Sequence, residues 1–491
     1  MNNRIFFRDI FFTAILFTLA QPPFSFYGIS FIFLFFILGL IYNGKLENMS
    51  YKYTFLNGWF LGFFISVFTL FWIYKVTFIG VLPLFMVEAV FYGAIFVLFK
   101  LFSVKNKLYN LILFVILWNI MDFLRSKTVF AFPWNPIGEM VYYFISFIQI
   151  ADIGGIWLVG IILSIFNILF FLILFHKKFR FLNVIIFVLL FIIVVGYGEW
   201  RLSNIKLKKT DFKIALIQGN IEQDLKWNSK LYLKNLNKYI EMSEYAAKNG
   251  VKLIIWPETA ATCYLRYNSV FLGRISDFAK KNKVVLITGS LEYKDRKNYN
   301  SAFGIDSLGR IFYTYNKIKL VPFGERIPFS DKYPILNKID FGQGDFWYGN
   351  NYTMATFEGL KFPTFICYEI IFPDFVRKFV SLGADFLVNL TNDAWFGRYS
   401  APQQHAYLVP FRAVENRIGI ARVANTGISF FVNPFGVIYN SSDIFEDKIL
   451  IDRVFIKSCN TVYERYGDFY IYFLMVIIVL IKIVDIFYRR R

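Results

Sequence analysis

The chain is 491 residues long, 57% hydrophobic and 21% aromatic, with a mean hydropathy of +0.49. That is too apolar for a soluble core alone and points to several membrane spans, while the length allows two or three domains. The formal net charge is +19; no basic patch with interleaved aromatics forms a nucleic-acid module, so the charge is read as the Lys and Arg of cytoplasmic loops in a polytopic membrane protein.

Apolar runs predict spans near 8–21, 24–43, 54–74, 80–100, 108–126, 155–175 and 180–198. The first is short, but the turn "QPPFSF" follows it rather than a small-residue cleavage site, so it is read as retained. An eighth run, "FYIYFLMVIIVLIKIVDIFY", closes the chain, with Lys482 and Asp485 placed towards its end. Positive residues mark alternate loops: Arg4 and Arg8, Lys45 and Lys52, Lys100, Lys105 and Lys107, then Lys177, Lys178 and Arg180, and finally Arg489 to Arg491. Those loops belong in the cytoplasm, which places the segment between spans seven and eight on the outer face. Arg125 and Lys127 are exceptions on the outer side, and Arg125 is read as an interfacial anchor or a partner for a lipid head group.

The expected division is a membrane domain over 1–203 with about seven spans, an outer domain over 204–458, and a last span with a basic tail over 459–491. Within 204–458 the pattern changes. "DFKIALIQG", "VKLIIWPE", "KVVLITGS", "KFPTFICYE" and "DFLVNLTND" read as buried strands that end in polar residues. "NSKLYLKNLNKYIEMSEYAAKNG" has helical spacing and stops at Gly250, a natural C-cap. Strands alternating with helices predict an α/β domain.

Reactive groups collect at the strand ends: Glu258 in "IIWPETA", Lys317 and Glu325 in "YTYNKIKLVPFGERIP", and Cys367 with Glu369 in "FICYE". The three cysteines, Cys263, Cys367 and Cys459, make neither a disulfide framework nor a zinc pattern, and with only His176 and His405 a His-rich metal site is excluded. A thiol has a reference pKa of about 8.5 and is mostly protonated at neutral pH. A carboxylate can take its proton during attack, and a lysine ammonium can hold the charge of a tetrahedral oxyanion. Each residue alone is better read as packing or a solvated surface group; only their joint placement suggests acyl transfer.

"WPE", "YNKIKLVPFGE" and "ICYE" resemble the Glu–Lys–Cys signature of the nitrilase superfamily. The wider set, with "FPWNPIG" (132–138), "QGNIEQDLKW" (218–227), "YNSAFGID" (299–306), "TNDAWFG" (391–397), "QQHAYLVPFRAVENRIGIARVANTGIS" (403–429) and "TVYERYGDF" (461–469), resembles its membrane-embedded branch, the apolipoprotein N-acyltransferases. The resemblance implies a polytopic α-helical domain of about eight spans joined to a nitrilase-like αββα sandwich. It implies that an acyl chain passes from a membrane glycerophospholipid, through a thioester, to the α-amino group of the N-terminal diacylglyceryl-cysteine of a lipoprotein. Carried over by motif, Cys367 is the nucleophile, Glu258 the general base and Lys317 the oxyanion holder. Glu325, Tyr368 and Glu369 match supporting positions, and Trp227 and Trp134 match aromatic positions of substrate handling. No cofactor, metal or nucleic acid is implied, and the expected setting is a monomer in the bacterial inner membrane with its catalytic domain facing the periplasm. His405 is expected at most to brace the site, and Asn300, Asn392 and Asp393 to shape turns or to support the reactive residues from behind rather than to react themselves.

Two other classes fit parts of the sequence. A transporter would need ionisable groups at mid-membrane depth, for which Asp122 and Asp485 are the candidates. A membrane-tethered amidase acting on a small amide would use the same three residues as a transferase.

Overall fold

The computed structural model describes residues 3–128, 130–333, 335–336 and 344–490. Arg491 of the basic tail, and Pro334 and residues 337–343 of the aromatic loop, lie outside them. The chain divides into two compact units, Met1–Asn204 with Tyr466–Arg491, and Ile205–Arg465.

In the first unit six helices among the described residues are long and apolar enough to cross a membrane: Tyr51–Lys75, Val81–Phe102, Lys107–Arg125, Ala151–Phe175, Lys177–Asn204 and Phe469–Tyr488. The other two of the eight expected runs take shorter or broken forms. The first forms the helix Asn3–Ala20, whose opening turns carry Arg4, Arg8 and Asp9. The apolar remainder is about 16 Å long, against a hydrocarbon core of about 30 Å. The run over 24–43 breaks into a 3-10 turn at Ile29–Phe31 and a short helix at Phe35–Tyr42. Pro22, Pro23 and Gly28 lead into it and do not sustain a helix.

Close helix approach in this unit rests on small residues. A Cβ on Gly62 would come within 2.8 Å of the Ala89 Cα on the neighbouring helix. The helix Ala151–Phe175 kinks at Gly154 and Gly155, and the carbonyl released at Gly154 accepts a hydrogen bond from the Tyr470 hydroxyl at 2.7 Å.

Arg125 does not face a lipid head group. Its side chain is buried, 2.6 Å from Glu88 and 3.2 Å from Asp122, and it also donates to the carbonyls of Phe132 and Trp134. The hydropathy pattern singles out Asp122 and not Glu88, yet the two carboxylates share this one guanidinium. Trp134 is buried in the same unit, stacked on Phe132 with ring centres 5.4 Å apart and packed against Trp72.

The second unit holds two sheets. Its strands in chain order are β1 (Lys213–Gln218), β2 (Val251–Ile255), β3 (Ala261–Tyr264), β4 (Val285–Lys294), β5 (Lys297–Ile305), β6 (Ile311–Asn316), β7 (Ala355–Phe357), β8 (Leu360–Phe362), β9 (Thr364–Ile366), β10 (Leu387–Thr391), β11 (Ile420–Ala424), β12 (Phe430–Val432), β13 (Ile438–Tyr439) and β14 (Lys448–Asp452). The first sheet runs β14-β1-β2-β4-β5-β6, with β3 also paired to β4; the second runs β13-β12-β11-β10-β9; β7 and β8 form a separate hairpin. β1 and β11 face each other across the two sheets, as do β5 and β9. Helices Tyr232–Lys248 and Ser269–Asn282 cover the first sheet, and Pro373–Ser381 and Val409–Asn416 cover the second. This is an αββα sandwich.

β1, β2 and β4 run parallel in the first sheet, and β9, β10 and β11 run parallel in the second. Covered on both faces, they read in sequence as unbroken apolar runs. Trp256, Ile254 and Ala215 join Leu236, Ile275 and Phe278 of the helices in one core. Tyr232–Lys248 ends as its sequence predicts, with Gly250 at φ +76° closing the turn into β2.

Candidate active site

Parallel strands place their carboxyl ends at one edge of a sheet, and the loops that leave that edge gather there. β2 runs on through Trp256 and Pro257 to Glu258. Two antiparallel reversals, β4 to β5 and β5 to β6, return β6 to the direction of β2, so Lys317 after β6 emerges on the same side. In the second sheet β9 runs directly into Cys367, and β10 into Asn392 and Asp393.

Cys367 opens a 3-10 turn, Cys367–Ile371, with φ +52°. A non-glycine residue in the left-handed region is strained, and its surroundings must hold it there. The Cys367 carbonyl receives the Asn389 amide at 3.4 Å. His405 Nε2 lies 3.3 Å from the same oxygen, and His405 Nδ1 lies 3.0 Å from Asp393 Oδ1. Arg422 donates to Asp393 Oδ2 at 3.1 Å. Burial works against the Asp393 charge, but Arg422 and His405 outweigh it and hold the carboxyl below its usual range. Burial and then Arg422 push His405 down, so its ring is neutral. The ligand atoms of Cys367, Asp393 and His405 lie within 4.8 Å of one another and could hold a metal ion by number alone. The Arg422 guanidinium lies 3.1 Å from both Asp393 and His405 and sets a positive charge against that group.

Lys317 is buried, with Nζ 2.8 Å from Glu325 Oε2 and 3.8 Å from Glu258 Oε1. Burial disfavours its charge, but Glu325 and then Glu258 outweigh burial and raise its pKa, so it stays an ammonium. Asn300 on β5 donates to both carboxylates, to Glu258 at 2.8 Å and to Glu325 at 3.0 Å. Glu325 also accepts from the backbone of Val321. The turn that carries Glu258 lies against β4, and Gly289 permits it: a Cβ there would sit 2.6 Å from the Glu258 Cα.

Glu369 is fully buried and accepts four hydrogen bonds. The Tyr315 hydroxyl and the Ile318 amide each donate at 2.7 Å, the Lys319 amide at 3.0 Å and the Ile366 amide at 2.8 Å. Burial still raises its pKa to about 7. One carboxyl thus joins the loop after Lys317, from the first sheet, to the strand before Cys367, from the second. Tyr368 is buried against Phe372 at 5.0 Å.

Cys367 is pushed up chiefly by burial and next by Glu258, with Lys317 acting the other way. The thiol therefore keeps its proton at rest. Burial also raises Glu258, with Lys317 opposing. The site suits transfer of a proton from thiol to carboxylate during attack, beside an ammonium fixed in its charged form. Cys263, on β3, and Cys459 lie elsewhere in the chain.

Glu258, Lys317, Cys367, Glu325 and Glu369 thus come together, with Tyr368 packed behind the turn. Trp134 belongs to the helical unit. Trp227 presents an exposed indole, 39% accessible, at the end of the helical turn Gln223–Lys226. The supporting roles of His405, Asn300 and Asp393 are expected in outline from the sequence, while Arg422 and Lys226 are not singled out by it. Asn300 lies on a strand and supports the site by joining two carboxylates. Asp393, His405 and Arg422 brace the cysteine. Lys226 is buried, with Nζ 2.9 Å from the Glu258 carbonyl oxygen; the motif "DLKW" was the only signal for it.

The carbon-nitrogen hydrolase family matches residues 213–462, and the N-terminal domain of apolipoprotein N-acyltransferases matches residues 13–169. The apolipoprotein N-acyltransferase of Geobacter metallireducens is 35% identical over 369 residues, covering 73% of this chain and 71% of its own. That of Wigglesworthia glossinidia brevipalpis is 32% identical over 504 residues, covering 96% of this chain and 97% of its own. A solved variant of the Nesterenkonia AN1 amidase, from the nitrilase superfamily, overlays with a TM-score of 0.40 at 18% identity, covering 52% of this chain and 94% of its own.

Proposed function

The chain belongs to the apolipoprotein N-acyltransferase family, and on that premise we propose that Cys367 carries the acyl group between two lipid substrates as a thioester. The reaction is the N-acylation of lipoproteins. The donor in this reading is a membrane glycerophospholipid, and the acceptor is the free α-amine of a diacylglyceryl-modified N-terminal cysteine. The observation that carries it is a proton-bearing thiol in a strained turn, with a buried carboxylate and a buried ammonium beside it.

In the first step Cys367 Sγ attacks the donor's ester carbonyl as its proton passes to Glu258. The tetrahedral oxyanion lies against the Lys317 ammonium. Collapse breaks the ester bond, and the departing alkoxide takes the proton from Glu258, giving a lysophospholipid and the thioester. In the second step the acceptor amine attacks the thioester and gives a proton to Glu258; Cys367 leaves as thiolate and recovers it, and an amide remains. Glu325 and Asn300 hold Lys317 and Glu258 in place. Tyr368 supports the turn beside the nucleophile, Trp227 and Trp134 contribute to lipid handling, and no cofactor enters either step.

Membrane spans suit such a reaction. Drawing two acyl chains into water would cost about 0.8 kcal/mol for each methylene exposed. The alternation of Lys and Arg along the chain supports an inner-membrane protein with its catalytic unit facing the periplasm. Reporter fusions after residue 204 and after Arg491 should read as exported and cytoplasmic respectively; the reverse pair overturns this orientation.

Phospholipid alone should yield an acylated enzyme and a lysophospholipid. Neutral hydroxylamine should cleave the adduct, and a diacylated lipopeptide with a free α-amine should discharge it where a blocked one does not. Product that forms only when both substrates are present, with no adduct under any condition, would replace the thioester by direct transfer.

A further inference from the structure

Lys226 ends the turn Gln223–Lys226 with its side chain inward, 1% exposed, while the next residue turns an indole to the outside. We infer that Lys226 is a positioning residue for the acyl transfer: its ammonium, 2.9 Å from the Glu258 carbonyl oxygen, supplies the second positive charge that keeps Glu258 ionised and able to accept the thiol proton. The inference rests on the proposed roles of Cys367 and Glu258.

Asp393 is matched by Arg422, and Glu369 is tied by four donors. The remaining carboxylates, Glu258 and Glu325, share Lys317. That lysine sits 2.8 Å from Glu325 but 3.8 Å from Glu258, so Glu325 takes the larger part of its charge. Two buried carboxylates with one cation hold a proton between them. Without a second cation, the proton falls to Glu258, and a protonated Glu258 cannot act as a base.

The charged groups that face each other here are known. Glu258 meets Lys317, Glu325 and Lys226; Lys226 meets Glu258 and Cys367; Cys367 meets Glu258, Lys317 and Asp393. Burial pushes Lys226 down to about 7, with Glu258 and Cys367 resisting. Its charge is therefore one that the neighbouring carboxylate sustains, and the two groups support each other's ionised forms. A lysine that only pegged the 219–227 segment to the Glu258 turn would need the hydrogen bond and not the charge.

The test uses the full-length protein in detergent, with Cys263 and Cys459 replaced by Ser. Two rates are followed against pH: alkylation of Cys367 by iodoacetamide, read by mass spectrometry, and acyl-enzyme formation from phospholipid. In Lys226→Met the acid limb of both profiles should move up by about one pH unit or more, a loss of about tenfold below the limb that closes at high pH. Lys226→Arg should restore the limb. If Lys226→Met does not fold, Lys226→Gln gives the same readout. An equal loss at every pH, with the limb unmoved, would leave Lys226 a peg and overturn the inference. Glu258→Gln separates the two layers. A limb that survives in Glu258→Gln overturns the proposed base itself. A limb that disappears there but stays in place in Lys226→Met overturns only the role of Lys226.

Discussion

Two buried charge clusters serve different ends in this molecule. In the helical unit, Glu88 and Asp122 close on Arg125, whose remaining donors reach the carbonyls of Phe132 and Trp134. In the catalytic unit, Glu258 and Glu325 share Lys317, with Lys226 close by. A guanidinium is planar, always charged and offers five donors, so one arginine can satisfy two carboxylates and a bend of backbone at once. A lysine is a point charge with three donors and a pKa that responds to its surroundings. The arginine cluster therefore fixes a shape. The lysine cluster leaves a carboxylate whose proton can come and go. Both are buried, and the choice of cation separates architecture from chemistry.

The largest effect should come from removing the group the lysine cluster serves. Cys367→Ala should abolish acyl transfer and the covalent adduct, while Cys263→Ala and Cys459→Ala keep most of the activity. Cys367→Ser should be nearly inactive, because a hydroxyl is a much weaker nucleophile beside a carboxylate base. Turnover by Cys367→Ala at the parental rate would end the comparison, since the lysine cluster would then serve nothing.

Breaking the arginine cluster should act on stability instead. Arg125→Leu strands two buried carboxylates and two carbonyls, at a cost of about 3–5 kcal/mol. Thermal unfolding in detergent should show an early transition in the helical unit, with Cys367 alkylation in the surviving folded fraction unchanged. An unaltered transition would mean that the cluster does not hold the fold.

A smaller change sharpens the contrast. Gly289→Ala drives a methyl group towards the Glu258 Cα, an overpacking of about 1–3 kcal/mol. Because it displaces the base rather than a scaffold residue, acyl-enzyme formation should slow more than the shift in melting temperature suggests. Equal losses in both would show that the site tolerates movement as well as the helical unit does.

The sequence was most legible where burial is continuous. β1, β2, β4, β9 and β10 appear as apolar runs because both faces are covered, and the reactive residues stand out where those runs stop. The short first helix and the broken second run were not legible, because composition does not register helix length or a proline pair. Arg125 reads as a loop residue because its partner Glu88 lies on another helix. Asn300 looks like a turn former or a support, and what it supports shows only when the order β2-β4-β5-β6 brings β5 beside the end of β2. Lys226 sits next to an exposed tryptophan and reads as solvated, since only the path of residues 219–227 turns it inward. Each missed residue depends on which elements become neighbours, and local pattern carries no record of that.

The Glu369 carboxyl has a mechanical consequence. The nucleophile belongs to one sheet and the ammonium to the other, and layers that merely stack can slide. Glu369 pins them between Lys317 and Cys367, where sliding would separate the two. Strain applied to either layer by a long or bent acyl chain then moves both reacting groups together, and the gap between them is insulated from the shape of the cargo. The same pin delays maturation: Tyr315 and Glu369 are 54 positions apart, so neither layer completes the catalytic centre alone, and the reactive thiol is aligned only when the two halves have met.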